Sequence, residues 1–305
     1  GYAPNPLAQR LANGAHNPTV CIVSGSLDVG LATEKILLIQ HALSTEALEA
    51  PIYTCSEGAG EVGQSQASQI RQICRQRPRA IIFAAQMVGP AVFPELEAYQ
   101  RAGGIVVSYD VAVPLECDQV IFDREDNTAQ AARYLLERGH RHIGLGLSDP
   151  PPWLTHTVGL AQNLRTAGFR RALQEFGATV REDWLFHHPT YEKGGAAMAR
   201  RFLSLSERPT GLCIVNDYVA LAFMVEVMRA GVRIPQDVSI VGLDNQPIAA
   251  YCPVPLTAVS QPTDEIAQAV IALLNERLAG TQVPVQTVTV RGQLEQRQSV
   301  MAIPV

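Results

Sequence analysis

Several features that mark common protein classes are absent from this sequence. It has no run of about 18 apolar residues and no basic amino-terminal region followed by an apolar stretch, which disfavours a membrane span and a secretory signal. Charged residues are scarce, at 17%, whereas 47% are hydrophobic, so neither a disordered chain nor a coiled coil fits the composition. Basic residues are fewer than acidic ones, with 24 Lys and Arg against 29 Asp and Glu. The net charge of −5 gives no general attraction to nucleic acid or anionic lipid. The 305 residues predict a compact globular protein of about two domains.

Paired cysteines are missing as well. The six cysteines are irregularly spaced without a C-x-x-C pair, which excludes zinc-ribbon and thioredoxin-like motifs. Most of them lie in apolar runs, where a free thiol behaves as a small hydrophobic side chain. Since thiols stay reduced in the cytosol, this usage predicts free cysteines and a cytoplasmic protein.

Motifs for catalysis or cofactors are weak or absent. No H-E-x-x-H, P-loop or EF-hand pattern occurs, so the sequence predicts neither a metal nor another cofactor. The segment Gly58-Ala-Gly60-Glu-Val-Gly63 matches the dinucleotide pattern G-x-G-x-x-G, but it follows a second strand and no acidic residue follows the next one. We interpret it as a surface loop. Gly63-Gln-Ser65-Gln-Ala67 lacks the final glycine of a nucleophile elbow and falls within a predicted helix. His187 and His188 have no third ligand nearby and are interpreted as solvated loop residues, one of which could contact a ligand.

Short β-rich apolar runs alternate with longer segments of helical period from about residue 19 onward. A first series ends with a helix near 127–138, capped by Gly139, and a second series begins at His142. This alternation is typical of βαβ units, so it predicts an α/β fold with two doubly wound parallel sheets. Ligands bind such sheets outside the carboxyl ends of the strands, where the two sets of loops would form a cleft. The polar loops at these ends are 24–28, 110, 123–126, 148–153, 216–217 and 244–245.

The first residues of the chain form a separate pattern. Between Pro4 and Gly14, proline comes first, helix formers follow, and glycine comes last, which predicts a helix of about two or three turns. Such a short helix is marginal alone in water, so it should form only on a partner. Leu7 and Leu11 would lie on one face of it.

Along essentially its whole length the sequence resembles the LacI/GalR family, the lactose-repressor type of bacterial transcription regulators. Residues Gly1 to Leu11 are similar to the end of the family's DNA-binding head and its hinge helix. Further matching segments follow in the family's order and spacing, and together they are specific although each alone is weak. They are 134–143 (YLLERGHRHI), 165–173 (RTAGFRRAL), 208–217 (RPTGLCIVND), 234–244 (IPQDVSIVGLD) and 255–261 (PLTAVSQ).

This resemblance implies two periplasmic-binding-protein-like subdomains of type I, joined by three crossovers. On the family's pattern, residues 1–14 are the hinge, 15–139 with 262–290 form the N-terminal subdomain, and 140–261 with 291–305 form the C-terminal subdomain. The resemblance also implies a homodimer and a preceding helix-turn-helix head that reads operator DNA. Paired hinge helices would enter the minor groove, with Leu11 as the inserted leucine and Leu7 and Ala8 as neighbouring contacts.

A small effector, which we expect to be a sugar or a sugar derivative, is implied in the same way. Arg165 matches the arginine that binds ligand hydroxyls or carboxylates, Asn216 and Asp244 match hydroxyl-binding positions, and Gln261 matches a crossover contact. As alternatives, Asn216 and Asp244 could cap the following helices, and Arg165 could pair with a surface carboxylate. The other expected effector contacts are Ser26, Asp28, Asp123, Asp126, and Trp153 or Tyr191 for the ring face. The proline run 150–152 and Ala222, where a glycine is usual, depart from the family pattern.

The expected function is therefore that of a ligand-responsive repressor core without catalytic activity or membrane contact. A periplasmic sugar-binding transport component of the same fold is the main alternative, although it would have no use for the hinge. A doubly wound enzyme is a third, supported only by the glycine loop at 58–63.

Overall fold

A computed structural model describes residues 17–25, 27, 30–55, 65–149, 155–189, 191–281 and 283–303. Contacts divide the chain into two compact units: residues 1–122 with 263–290, and residues 123–262 with 291–305. The chain therefore crosses from one unit to the other three times. Each unit contains one six-stranded sheet.

The first unit alternates strands and helices around a wholly parallel sheet. With strands and helices numbered along the whole chain, the order of the strands across this sheet is β11-β5-β4-β3-β1-β2. The elements are β1 (Val20–Ser24), α1 (Leu31–Thr45), β2 (Ile52–Thr54), α2 (Gln66–Arg75), β3 (Ala80–Ala84), α3 (Phe93–Arg101), β4 (Ile105–Asp110), β5 (Asp118–Phe122), α8 (Thr263–Leu278) and β11 (Thr287–Val290).

The second unit repeats this arrangement in the order β12-β10-β9-β8-β6-β7. All neighbouring strands are parallel except β12, which is antiparallel to β10. Its elements are α4 (Arg124–Glu137), β6 (Ile143–Ser148), α5 (Thr155–Glu175), β7 (Leu185–His188), α6 (Tyr191–Ser204), β8 (Gly211–Ile214), α7 (Asp217–Arg229), β9 (Ser239–Gly242), β10 (Thr257–Val259) and β12 (Leu294–Glu295).

Burial on both faces explains why the strands read as continuous apolar runs. Every position of β1, β3, β8 and β9 is buried, as expected where helices cover both sides of a parallel sheet. Successive residues of β8 alternate between two core clusters: Cys213 packs with Leu145 and Phe169, whereas Leu212 packs with Phe186 and Phe223. The sheet is therefore the middle layer of the unit.

The first boundary between the units lies after residue 122, whereas the family resemblance implied residue 139. Helix α4 follows β5 directly along the chain. Its buried Leu135 and Leu136 instead join the core of the second unit together with Phe169 of α5. The two later crossings fall at 262/263 and 290/291.

Other details of the local structure also differ from the sequence-based expectations. Ser65 is the N-cap of α2 rather than part of that helix, and its hydroxyl oxygen accepts a hydrogen bond from the Ser68 amide. The predicted cap Gly139 is confirmed, with a φ of 89°. In the part of the chain that the structure describes, no helix is long and apolar enough to cross a membrane.

Candidate functional site

Three of the predicted effector residues lie side by side at the carboxyl edge of the second sheet. Asn216, Asp244 and Gln261 follow β8, β9 and β10, which are neighbouring parallel strands. The register pairs Gly242 with Ile214 on one side and with Ala258 on the other, so these strands end together. The amide of Gln261 donates to the Asp244 carbonyl over 3.0 Å, which joins the last two loops.

Asn216 combines a structural role with an unused donor. It is the N-cap of α7, and its Oδ1 accepts hydrogen bonds from the amides of Tyr218 at 3.0 Å and Val219 at 3.4 Å. Its φ of 73° is a conformation that Asn tolerates better than most residues. Its Nδ2 group donates to no residue within the described ranges. The capping alternative is therefore correct for Oδ1, while the amide hydrogens are available to a ligand.

The carboxylate of Asp244 does not cap a helix. It is 9% exposed and accepts a hydrogen bond from Nε2 of Gln246 over 3.2 Å. The 3₁₀ turn that follows, Pro247–Tyr251, has Gln246 as its N-cap and no side-chain cap. Asp244 is thus a nearly buried acceptor beside Asn216 and Gln261.

Asp217 connects two of the loops at this edge, a role that the sequence analysis did not assign. It is fully buried, and its Oδ2 accepts the Gln246 amide over 2.6 Å, which ties the loop after β9 to the start of α7. Its Oδ1 has no hydrogen-bond partner among the described residues. Burial, and then the nearby Asp244 carboxylate, raise the pKa of Asp217, although the amides of Gln246 and Asp244 and the charge of Arg297 oppose the shift.

The start of α4 brings two further predicted residues to the end of β10. Asp123 is the N-cap of α4, accepts the Asp126 amide over 3.0 Å and forms an ion pair with Arg291. Asp126 is half-buried, and its Oδ2 accepts from Nε2 of Gln130 over 2.7 Å. Buried Asn127, which the sequence analysis missed, donates to the Ser260 carbonyl over 3.1 Å. This bond holds the first turn of α4 next to Gln261.

Arg165 lies on α5, close to the same turn of α4. A Cβ on Gly168 would lie 2.0 Å from the carbonyl oxygen of Glu125, so the two helix backbones touch there. Arg165 precedes Gly168 by three residues and shares its helix face. It is 6% exposed, so it is not the surface residue of the ion-pair alternative.

The two adjacent histidines do not lie in a loop. Both are in β7: His187 is exposed and contacts Asp149, whereas His188 is 1% exposed. Nδ1 of His188 lies 2.8 Å from the Pro189 carbonyl, which makes it the protonated nitrogen and leaves Nε2 as an acceptor. Burial lowers the pKa of His188, so the ring is neutral at pH 7. The solvated-loop interpretation was wrong for His188.

Several predicted residues lie outside the described residues. These are Ser26, Asp28 and Trp153 of the effector set, Leu7, Ala8 and Leu11 of the hinge, and the glycine motif at 58–63. Tyr191 begins α6, but its side chain is not described. Within the described ranges no group of three or more His, Cys, Asp or Glu could hold a metal ion.

Comparison with known sequences places this architecture among transcription regulators. Residues 132–300 match the family described as periplasmic binding protein-like domain. The HTH-type transcriptional repressor PurR of Klebsiella pneumoniae (strain 342) is 27% identical over 300 residues, which are 98% of this chain and 84% of that repressor. PurR of Escherichia coli O1:K1 / APEC is 29% identical with the same coverage.

Solved structures share the fold. The lac repressor dimer bound to operator and the anti-inducer ONPF superposes with a TM-score of 0.81 at 20% identity, covering 99% of this chain and 100% of that one. A LacI family regulator from Enterococcus faecium with bound ribose gives 0.76 at 22% identity, covering 94% and 100%. These relatives are transcriptional regulators and not enzymes. The chain belongs to the LacI/GalR family of transcriptional repressors and forms its periplasmic-binding-protein-like core.

Proposed function

We propose that this core binds a sugar or sugar derivative at the carboxyl edge of the second sheet and thereby controls operator binding. The observation that carries the proposal is the alignment of Asn216, Asp244 and Gln261 at three neighbouring strand ends. In open α/β sheets this edge is where ligands bind.

The chemistry of these side chains suits hydroxyl groups. A sugar hydroxyl donates one hydrogen bond and accepts others, so it needs acceptors and donors together. Asp244 supplies carboxylate oxygens, Asn216 supplies its Nδ2 hydrogens, and the planar guanidinium of Arg165 can bind two oxygens at once. Ribose bound to the Enterococcus faecium regulator supports this class of effector.

A thermal-shift screen with mono- and disaccharides, sugar acids, polyols and nucleosides tests the proposal. A ligand at about 100 times its dissociation constant adds roughly 2.7 kcal/mol to the folded state, which raises the melting temperature by several degrees. We expect Asp244→Asn and Asn216→Asp to abolish the shift, because each keeps the side-chain shape and changes only the hydrogen-bonding groups.

The matched control is Asp183→Asn, at an exposed carboxylate of the second unit that is paired with Arg181. It should keep the full shift. A ligand that stabilises all three variants as it does the wild type would contradict the proposed site.

We further propose that the core acts as a homodimer whose hinge, residues 1–14, enters the operator minor groove through Leu7, Ala8 and Leu11. The proline and glycine that bracket this segment and the dimeric, operator-bound lac repressor of the same fold support it. Effector should then change operator affinity by roughly 5- to 150-fold, the usual range of allosteric coupling. Sedimentation and operator-binding titrations with and without the effector measure both points.

A further inference from the structure

A basic groove lies at the amino edge of the first sheet, where the strands of the first unit begin. Its volume is about 840 Å³, and it is lined by residues from α2, α3, α8 and the starts of β3 and β4. Five arginines and one carboxylate, Glu95, provide the charged lining. The chain as a whole has a net charge of −5, so this concentration of positive charge runs against its overall composition. The lining arginines are Arg71, Arg75, Arg77, Arg79 and Arg277.

Two of these arginines have structural partners. The helices of a parallel α/β unit run opposite to its strands, so their carboxyl ends meet at this edge, and basic side chains often bind the last carbonyls there. Arg79 donates to the Leu278 carbonyl over 2.8 Å. Arg277 forms a two-point ion pair with Asp118, at 2.6 and 2.8 Å.

Helix-end pairing does not account for the other three arginines. Arg71 pairs with Glu95 over 2.6 Å at an exposed position. Arg75 and Arg77 are exposed, and the guanidinium group of neither has a hydrogen bond or ion pair with any residue in the described ranges. Arg71 and Arg75 are also a like-charge pair four residues apart on α2, an arrangement that destabilises a helix. The guanidinium groups of Arg75 and Arg77 are therefore suited to an external anion.

The groove lies beside Asn17, the first residue that the structure describes after the proposed hinge. Asn17 lines the groove, and its side chain donates to the Arg77 carbonyl over 2.8 Å. Only five residues lie between Leu11 and Asn17, so the six steps that join them span at most about 20 Å when the chain is extended. Duplex DNA carries one phosphate charge per about 1.7 Å of its axis. If Leu11 enters the minor groove of the operator, the phosphates on either side of it are therefore within reach of the arginines.

We propose that this arginine groove binds the phosphate backbone of the DNA beside the operator, with Arg75 and Arg77 as the main contacts. The inference rests on the proposed function, because the hinge is what brings DNA to this edge. Backbone contacts carry no sequence information, so the groove adds affinity and orientation to whatever reads the bases. The site also gives a protein of negative net charge a local surface that attracts nucleic acid.

The test compares DNA binding by the chain and by two charge-matched variants. Fluorescence anisotropy with a mixed-sequence duplex is measured between about 50 and 200 mM salt. Each variant loses two exposed positive charges: Arg75→Gln with Arg77→Gln in the groove, and Arg200→Gln with Arg229→Gln in the second unit. We expect the groove variant to bind about tenfold more weakly at the lower salt. Each phosphate contact contributes about −0.9 to the slope of log K against log salt, so the slope of the groove variant should be less negative by about 1.8 per chain.

Three results would overturn the proposal. The first is an equal loss of DNA affinity in both variants, and the second is an unchanged DNA affinity in the groove variant. The third is that millimolar inorganic phosphate stabilises the wild type but not the groove variant, while the DNA affinity of the groove variant is unchanged. This third result would identify a site for a small anion. The sugar-induced thermal shift is measured on the same variants. If the shift persists and the DNA result fails, only this inference fails, whereas loss of the shift in the wild type itself removes the proposed function.

Discussion

Asp217 lies fully buried at the first position of α7, next to the second carboxylate, Asp244. Burial raises its pKa in the folded chain, whereas an unfolded Asp has a pKa of about 3.9. Above pH ~4 and below the raised value, the folded state therefore binds more protons than the unfolded state. Stability must fall as pH rises through this window.

Replacing Asp217 by Asn should flatten that dependence, because the amide does not titrate but its oxygen can still accept the Gln246 amide. For a single proton the lost slope is at most about 1.4 kcal/mol per pH unit. Urea unfolding at pH 5, 6 and 7 measures it. Asp183→Asn is the control: Arg181 lowers the pKa of that carboxyl, so its titration falls below the range measured. Equal slopes in the wild type and in Asp217→Asn would show that Asp217 is ionised throughout.

At the scale of elements, the contact between α4 and α5 depends on one glycine. Gly168 brings the backbone of α5 against the Glu125 carbonyl, where an added Cβ would be 2.0 Å from the oxygen. This contact positions Arg165 beside the start of α4. The same helix carries Gly159, and no atom of the described residues lies within 4 Å of a Cβ added there. The two glycines make an internal comparison.

Gly168→Ala should destabilise the chain by up to about 2 kcal/mol, because overpacking costs about 1–3 kcal/mol and the gain in helix propensity offsets about 1 kcal/mol of it. Gly159→Ala should stabilise by up to about 1 kcal/mol, since it gains propensity without a clash. Denaturant unfolding of both variants gives the comparison. A stabilising Gly168→Ala would mean that the helices separate without cost.

The family-like segment around His140 also has a structural explanation at this scale. Nδ1 of His140 lies 2.9 Å from the Thr210 hydroxyl, and Nε2 lies 3.1 Å from the Met301 carbonyl. The ring thus joins the end of α4 to the start of β8 and to the carboxyl-terminal segment. In this chain the segment therefore serves packing within the second unit.

At the scale of the whole molecule, the cysteines report on the integrity of both units. All six are free, and all but the half-buried Cys74 are buried. Burial raises the pKa of Cys21 to about 12 and those of Cys55, Cys74, Cys117 and Cys252 to about 11. At pH 8 very little of any of these thiols is in the reactive thiolate form.

The native chain should therefore react with Ellman's reagent far more slowly than the unfolded chain, which should give six equivalents at once. Cys74 should react first, because it is the most accessible, and Cys74→Ser should remove that first phase. Absorbance at both conditions measures the count and the rates. Immediate reaction of two or more native thiols would contradict the burial described.

What the sequence by itself determined were the features carried by local patterns. The two series of alternating strands and helices, the cap at Gly139, and polar residues such as Asn216 and Asp244 at strand ends all follow from periodicity and from the rule for parallel sheets. The family resemblance added the order of the segments along the chain.

Only the tertiary structure decided which long-range partners meet. Helix α4 joined the second unit because its apolar face is buried against α5, which no local pattern indicates. Asn127 bonds Ser260 across 133 positions, and Asp217 bonds Gln246 across 29, so neither role could be assigned from neighbouring residues. The arginine groove likewise combines residues from separate helices, and its arginines come close together only when the chain folds.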